Sequence, residues 1–236
     1  MNRPDDLIDH SHRPSRLLML LESRAIYDAA AMIPMFRLRK FLPQGDDHPV
    51  LVLPGFLASS RSTKPLRNFI ADLGYKAHRW KLGYNMGYSF KLHYGMRERI
   101  SELAERYGAK VSLVGWSLGG VYARELAREM PDIVRQVISM GSPIVGGPKY
   151  TSMGAMYQRS GIDMDAIEAT IAARERTPIR VPVTSIYSRR DGIVGWQASI
   201  DRHSPEVDHI EVKATHLGLG ISTDVVKILA SKLASA

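Results

Sequence analysis

Short apolar runs bounded by proline, glycine and polar residues alternate along the chain with longer stretches whose apolar residues recur every three or four positions. Pro49-Val50-Leu51-Val52-Leu53-Pro54 is such a run, and Gly55 follows it, which predicts a buried strand entering a turn. Thr63 is placed to cap a helix over Lys64 to Leu73, with Pro65 in its first turn; Gly74 ends it before a second strand, Lys76 to Leu82. After a loop carrying Gly83, Asn85 and Gly87, the residues Met96, Ile100, Leu103 and Tyr107 predict a helix over Leu92 to Tyr107 that Gly108 stops. Val111 to Gly115 reads as a strand and Ser117 to Met130 as a helix closed by Pro131-Asp132. Further strands are predicted at Val134 to Met140, Val181 to Tyr187 and Ile210 to Lys213. This alternation is the pattern of an α/β protein with a mostly parallel sheet and helices on both faces, whose ligands bind beyond the carboxyl ends of the strands. Its one sizeable interruption, Ile144 to Arg180, opens with Gly146-Gly147-Pro148 and is the candidate lid or cap.

The first residues, Met1 to Arg16, are polar and contain Pro4 and Pro14, as expected of a tail. From Leu17 to Met35 apolar residues dominate, but Glu22, Arg24 and Asp28 interrupt them, so the run falls short of the roughly 18 uncharged residues of a spanning helix. Leu17 to Leu21 is also too brief for the apolar stretch of a secretory signal. Two readings of the segment stand: a helix packed on the domain, or one lying on a membrane surface beside Arg37, Arg39 and Lys40. The organisation read from the chain is a tail and amphipathic helix over 1–47 and one domain over 48–236, with the insertion at 144–180.

With 236 residues, 44% of them hydrophobic, the chain suffices for one domain with a full core. The absence of cysteine excludes disulfides, thiolate metal sites and a cysteine nucleophile, and fits a reducing cytoplasm. The net charge of +8 gives some attraction for polyanions or anionic membranes. No zinc-finger spacing, RNA-binding aromatic signature or long basic run accompanies it, so no nucleic-acid partner is expected and the charge reads as a solvated basic face.

Candidate chemistry centres on Gly115-Trp116-Ser117-Leu118-Gly119, a G-x-S-x-G pattern lying between an apolar strand and a helix. A serine held there sits on a sharp, strained turn with its hydroxyl exposed, and side chains in place of Gly115 or Gly119 would collide with neighbouring backbone. The helix that begins after it points its positive end at the charge developing during nucleophilic attack, and the Leu118 N–H is the natural first oxyanion donor. The second is expected from the loop after the first strand, Leu53-Pro54-Gly55-Phe56, with the Phe56 N–H as the candidate; an ordinary proline-glycine turn is the other reading.

The Leu-Pro-Gly-Phe loop, the Gly-Trp-Ser-Leu-Gly-Gly elbow, Asp191 after a late strand and Thr215-His216-Leu217-Gly218 near the end together resemble the α/β hydrolases, specifically the lipase-like serine esterases. The resemblance runs from about His48 to the C-terminus and implies an α/β-hydrolase fold with a reduced sheet of about six strands. It further implies hydrolysis of small-molecule or lipid carboxylic esters without metal or organic cofactor. Pro54-Gly55 departs from the His-Gly of many relatives, but a backbone donor does not depend on that side chain. The family order of serine, acid and histidine singles out His216 over His203 and His209 as the base, and Asp191 over Asp201, Asp208, Asp163 and Asp165 as the residue that orients it. Trp116, Phe56, Leu57, Met153, Met156, Ile193 and Trp196 are candidates for the wall of an apolar acyl pocket, and each also fits core packing. An acyltransferase using the same three residues, a catalytically silent ligand-binding member of the fold and a basic surface-binding protein are the rival readings.

Overall fold

The structure, a computed structural model, describes residues 13–159 and 163–235. The chain enters through α1 (Arg16–Leu20) and α2 (Ala25–Leu38), joined by a turn of 3-10 helix at Leu21–Arg24. The continuous segment expected from Leu17 to Met35 is therefore broken, and the break is where Glu22 turns into the protein. Then follow β1 (Pro49–Leu53), α3 (Lys64–Asp72), β2 (Lys76–Arg79), α4 (Phe90–Tyr107), β3 (Val111–Trp116), α5 (Leu118–Glu129) and β4 (Val134–Met140). After β4 come α6 (Gly154–Arg159), α7 (Met164–Glu175), β5 (Val183–Tyr187), β6 (Val207–Glu211) and α8 (Thr223–Ala234).

The six strands form one sheet in the order β2-β1-β3-β4-β5-β6, every neighbouring pair parallel. Both faces are covered, and the alternation within each strand divides the core in two. Val50, Val52, Val114, Ile138 and Ile186 point to α3, α8 and the buried Met32 and Met35 of α2. Leu51, Leu53, Leu113 and Val137 point to α4 and α5. Strands buried on both faces are apolar at successive positions, which is why they read as continuous runs. On the N-terminal helices, Leu17, Leu20, Ile26 and Tyr27 are exposed. No described helix is long and apolar enough to cross a membrane.

Two strand boundaries and one helix cap depart from the sequence pattern by more than the residue or two by which α4 and β5 start differently. β2 ends at Arg79, three residues early, because the Trp80 indole Nε1 donates to the Gly83 carbonyl at 3.0 Å and Lys81 takes a positive φ of 63°. β6 covers Val207–Glu211 instead of Ile210 to Lys213; it is an edge strand with exposed Asp208, His209 and Glu211, so polarity conceals it. Thr63 occupies the cap position of α3 but makes no capping bond: Pro65 has no N–H to offer, and the threonine hydroxyl donates back to the Ser60 carbonyl at 3.3 Å.

In strand order the direction of winding reverses between β1 and β3, the place where open parallel sheets bind ligands at their carboxyl edge. The Pro54-Gly55 loop leaves β1 and Ser117 leaves β3, flanking that crevice. Between β4 and β5, the 144–180 segment forms a 3-10 turn at Gly147–Tyr150 followed by α6 and α7. It crosses back over the same edge, where Thr151 bridges Val194.

Candidate active site

Ser117 has φ 55° and ψ −124°, a conformation that side chains rarely adopt, at the junction of β3 and α5. The turn is held by the Ser117 N–H donating to the Met140 carbonyl at 2.8 Å and the Gly120 N–H donating to the Ser117 carbonyl at 2.9 Å. Its glycines are obligatory by contact. A Cβ at Gly115 would lie 2.4 Å from the Gly119 and Gly120 backbone, and one at Gly119 would lie 2.3 Å from the Leu53 carbonyl oxygen. The strain and the tight packing together hold the serine at the mouth of the crevice, half-buried.

Asp191 and His216 arrive from the loops after β5 and β6, and the His216 Nδ1 is 2.7 Å from the Asp191 Oδ2. The other carboxylate oxygen of Asp191 accepts the Ile193 and Val194 N–H groups at 2.8 and 2.7 Å, so the acid is fixed before it engages the imidazole. Both residues are buried. Burial pushes the His216 pKa down, but the Asp191 charge and hydrogen bond, helped by the Glu22 charge, outweigh it and hold the group above its ordinary value. Two contacts tie this pair to the serine. Trp116, the residue before Ser117, donates its indole N–H to the His216 carbonyl at 3.1 Å. Gly141, the residue after the carbonyl that accepts the Ser117 N–H, has φ 53°, and a Cβ there would lie 2.9 Å from Asp191 Oδ2 and 3.1 Å from His216 Nδ1.

The loop after β1 closes the other side. Gly55 lies so close to Ser117 that a Cβ on it would stand 3.1 Å from the serine Cβ. Among the described residues the Phe56 and Leu118 N–H groups have no hydrogen-bond acceptor. Asn85, fully buried, sets the loop: its Nδ2 donates to the Pro54 carbonyl at 2.9 Å, and its own carbonyl accepts the Leu57 N–H at 2.7 Å. The Leu57 φ of 58° records how sharply the chain bends there.

The remaining sequence-predicted wall residues are dispersed. Phe56 packs against Tyr157 of α6, with ring centroids 5.3 Å apart, which lays the insertion over the loop after β1. Met153 is half-buried near the start of α6, whereas Leu57 and Met156 are largely exposed. Ile193 packs with Tyr150, Val194 and Ala198, and Trp196 stacks on Tyr187 beneath the Arg189 guanidinium. Trp116 packs on the core and on Gly220. Cavities of about 520 and 340 Å³ lie elsewhere, one lined by Ala104, Gly108 and Asp132 and the other by Gln136, Pro182 and Lys232.

A second serine–histidine–aspartate chain sits at the opposite, amino edge of the sheet. His48 Nδ1 meets Asp46, and its Nε2 lies 2.8 Å from the Ser112 Oγ. Ser112 is fully buried within β3, and burial lowers the His48 pKa against the pull of Asp46. Ser112 lies inside a strand with its hydroxyl buried, not on a strained turn at a helix start, and this chain joins the amino ends of β1 and β3.

No protein-family model matches the chain, and no curated protein matches it. Solved structures do. The Bacillus licheniformis lipase BlEst2 in its mature form is similar at a TM-score of 0.65 and 14% identity, over 81% of this chain and 94% of that one. A Paleococcus ferrophilus monoacylglycerol lipase is similar at 0.58 and 18%, over 80% and 96%. The mouse alpha/beta hydrolase domain-containing protein 10 follows at 0.57 and 19%, over 80% and 89%. With the six-stranded parallel sheet, these likenesses establish the α/β-hydrolase fold.

Proposed function

We propose that this α/β-hydrolase-fold protein is a serine hydrolase that cleaves carboxylic esters through an acyl-enzyme. The observation that carries the reading is the buried 2.7 Å His216–Asp191 hydrogen bond, set at the same sheet edge as a serine strained onto the start of a helix. Ser117 Oγ attacks the ester carbonyl while the His216 Nε2 takes its proton, and Asp191 holds the tautomer that leaves Nε2 free. The Phe56 and Leu118 N–H groups receive the oxyanion, and α5 adds the field of its positive end. The imidazolium then protonates the departing alcohol. Water, deprotonated in turn by His216, releases the acid and restores the serine.

Ester hydrolysis is favoured over the rival readings by two of these neighbours, which are named as lipases. Phe56 packed against Tyr157, next to the Gly55 turn, offers an apolar surface to an acyl chain. Hydrolysis of p-nitrophenyl esters of graded acyl length tests the proposal. Measurable turnover that falls by about 10³-fold or more in Ser117→Ala is the expected result. Turnover that survives in Ser117→Ala rules out the assigned nucleophile. Adding an alcohol and finding ester rather than acid as the main product would move the assignment to acyl transfer.

A further inference from the structure

Glu22 is buried, although the sequence presents it only as a charge interrupting an apolar stretch. From the 3-10 turn between α1 and α2 its Oε1 accepts the Gly192 N–H at 2.7 Å and the His216 N–H at 2.9 Å, while Oε2 accepts the Leu217 N–H at 2.8 Å. Gly192 adjoins Asp191, so one carboxylate joins the loop that carries the acid to the loop that carries the base. The fit on both sides needs glycine. A Cβ on Gly192 would stand 2.4 Å from the Leu18 carbonyl oxygen, and one on Gly218 would stand 2.2 Å from Asp28 Oδ2.

Among the described residues no cationic side chain pairs with Glu22. Burying a carboxylate without a counter-ion is costly, and the three N–H groups on its two oxygens offset part of that cost; an amide, with one acceptor oxygen, cannot accept at both ends. The charge that this tether brings also acts on the neighbouring base. Asp191 bonds the His216 imidazole from the β5 loop and Glu22 bonds the His216 backbone N–H from the N-terminal turn, and both charges favour the protonated ring; Asp28 on α2 lies against Gly218 and feels the Asp224 charge of α8. A second carboxylate there favours the imidazolium that forms as the serine loses its proton.

We propose that Glu22 is a positioning residue of the Ser117–His216–Asp191 site, locking the acid and base loops together and adding a second negative charge behind the base. The proposal rests on the serine-hydrolase reading for its catalytic meaning, while its geometric part concerns His216 alone. It makes the N-terminal arm part of the active site rather than an appendage to the sheet.

The test compares wild type with Glu22→Gln, which keeps the size and one acceptor oxygen but removes the charge and turns an NH₂ toward the Leu217 N–H. The expected result is kcat on a p-nitrophenyl ester lower by about 10- to 100-fold with little change in KM. The acidic limb of the pH–rate profile and the NMR titration of the His216 imidazole both move to lower pH. A folded Glu22→Gln with wild-type kcat and an unmoved His216 titration overturns the proposal. The titration needs no turnover, so an inactive wild type refutes the hydrolase reading while the Glu22 contact is still tested. If Glu22→Gln does not fold, amide exchange in the wild type decides. Slow exchange at Gly192, His216 and Leu217 supports the clamp, and exchange there as fast as in exposed loops refutes it.

Discussion

Replacing Gly141 by alanine places a methyl group against the hydrogen bond between Asp191 and His216. Two costs follow, and the structure contains a means of separating them. The first is backbone strain, because φ is 53°, and a non-glycine residue there loses about 1–2 kcal/mol. The second is contact: the new Cβ would stand 2.6 Å from a Leu219 methyl, 2.9 Å from Asp191 Oδ2 and 3.1 Å from His216 Nδ1. Relieving it requires the acid and base to retreat by several tenths of an ångström, adding about 1–3 kcal/mol of overpacking. Displacement of that size is expected to lower kcat by about 10²-fold, below the roughly 10⁴-fold loss seen when the histidine loses its orienting carboxylate. Gly108 is the control. Its φ of 57° nearly matches, but a Cβ on it meets nothing within 4 Å, at the far end of α4. Gly108→Ala therefore carries the strain alone and should lower the melting temperature by about 2–4 °C per kcal/mol while leaving kcat unchanged. Steady-state kinetics and thermal melts on the two variants make the comparison. If Gly141→Ala loses stability but keeps wild-type kcat, the reasoning that Gly141 presses on a working acid–base pair is wrong.

Other outcomes follow from the same geometry. Because Asp191 and Glu22 hold the His216 pKa above 6.5, and a base must be neutral to accept the serine proton, kcat/KM should rise with pH through an apparent pKa above that value. The same shift means that the stability contributed by this group is complete below pH 6.5 and lost as pH rises through the folded value; Asp191→Asn should abolish both effects. Asn85→Ala removes the anchor of the Pro54 carbonyl and should lower kcat by about 10-fold or more with KM little changed, alongside a stability loss of about 1–3 kcal/mol, read by kinetics and melting. Arg124, buried between Glu175 at 3.1 Å and Asp201 at 2.6 Å, lies outside the catalytic groups, and Arg124→Ala should lower stability by about 3–5 kcal/mol in denaturant melts. Burial raises the Asp201 pKa, but the Arg124 charge and the His203 and Ser204 N–H groups depress it further, so its contribution is present above the ordinary aspartate range and lost as pH falls through the lower folded value.

The fold was legible because buried parallel strands are rich in apolar residues: β1 is apolar throughout, and β3 and β4 keep apolar runs around Ser112, Arg135, Gln136 and Ser139. β6 was misplaced by three residues because an edge strand has one solvent side and its run Val207-Asp208-His209-Ile210-Glu211 carries three polar residues. Ser117 announces itself through glycines required by local contacts, and Asp191 and His216 emerged from their order along the chain. Glu22 and Asn85 did not, because each acts on backbone far away in sequence: Glu22 bonds the His216 N–H across 194 positions and Asn85 the Pro54 carbonyl across 31. One of the charges that interrupt an apolar segment, beside Arg24 and Asp28, was the available signal for Glu22. For Gly141, the glycine directly after a buried strand was the signal, but its meaning depends on which loops converge on it. The acyl-pocket residues were the least legible, since an apolar side chain beside a site and one in the core look alike along the chain.

The central claim is that Ser117 is an activated nucleophile, and labelling by a fluorophosphonate probe tests it most directly because no substrate need be known. Intact mass and peptide mapping should show one adduct, on Ser117, formed far more slowly in His216→Ala. Folded wild-type protein that takes no label, or takes it on another residue, contradicts the account.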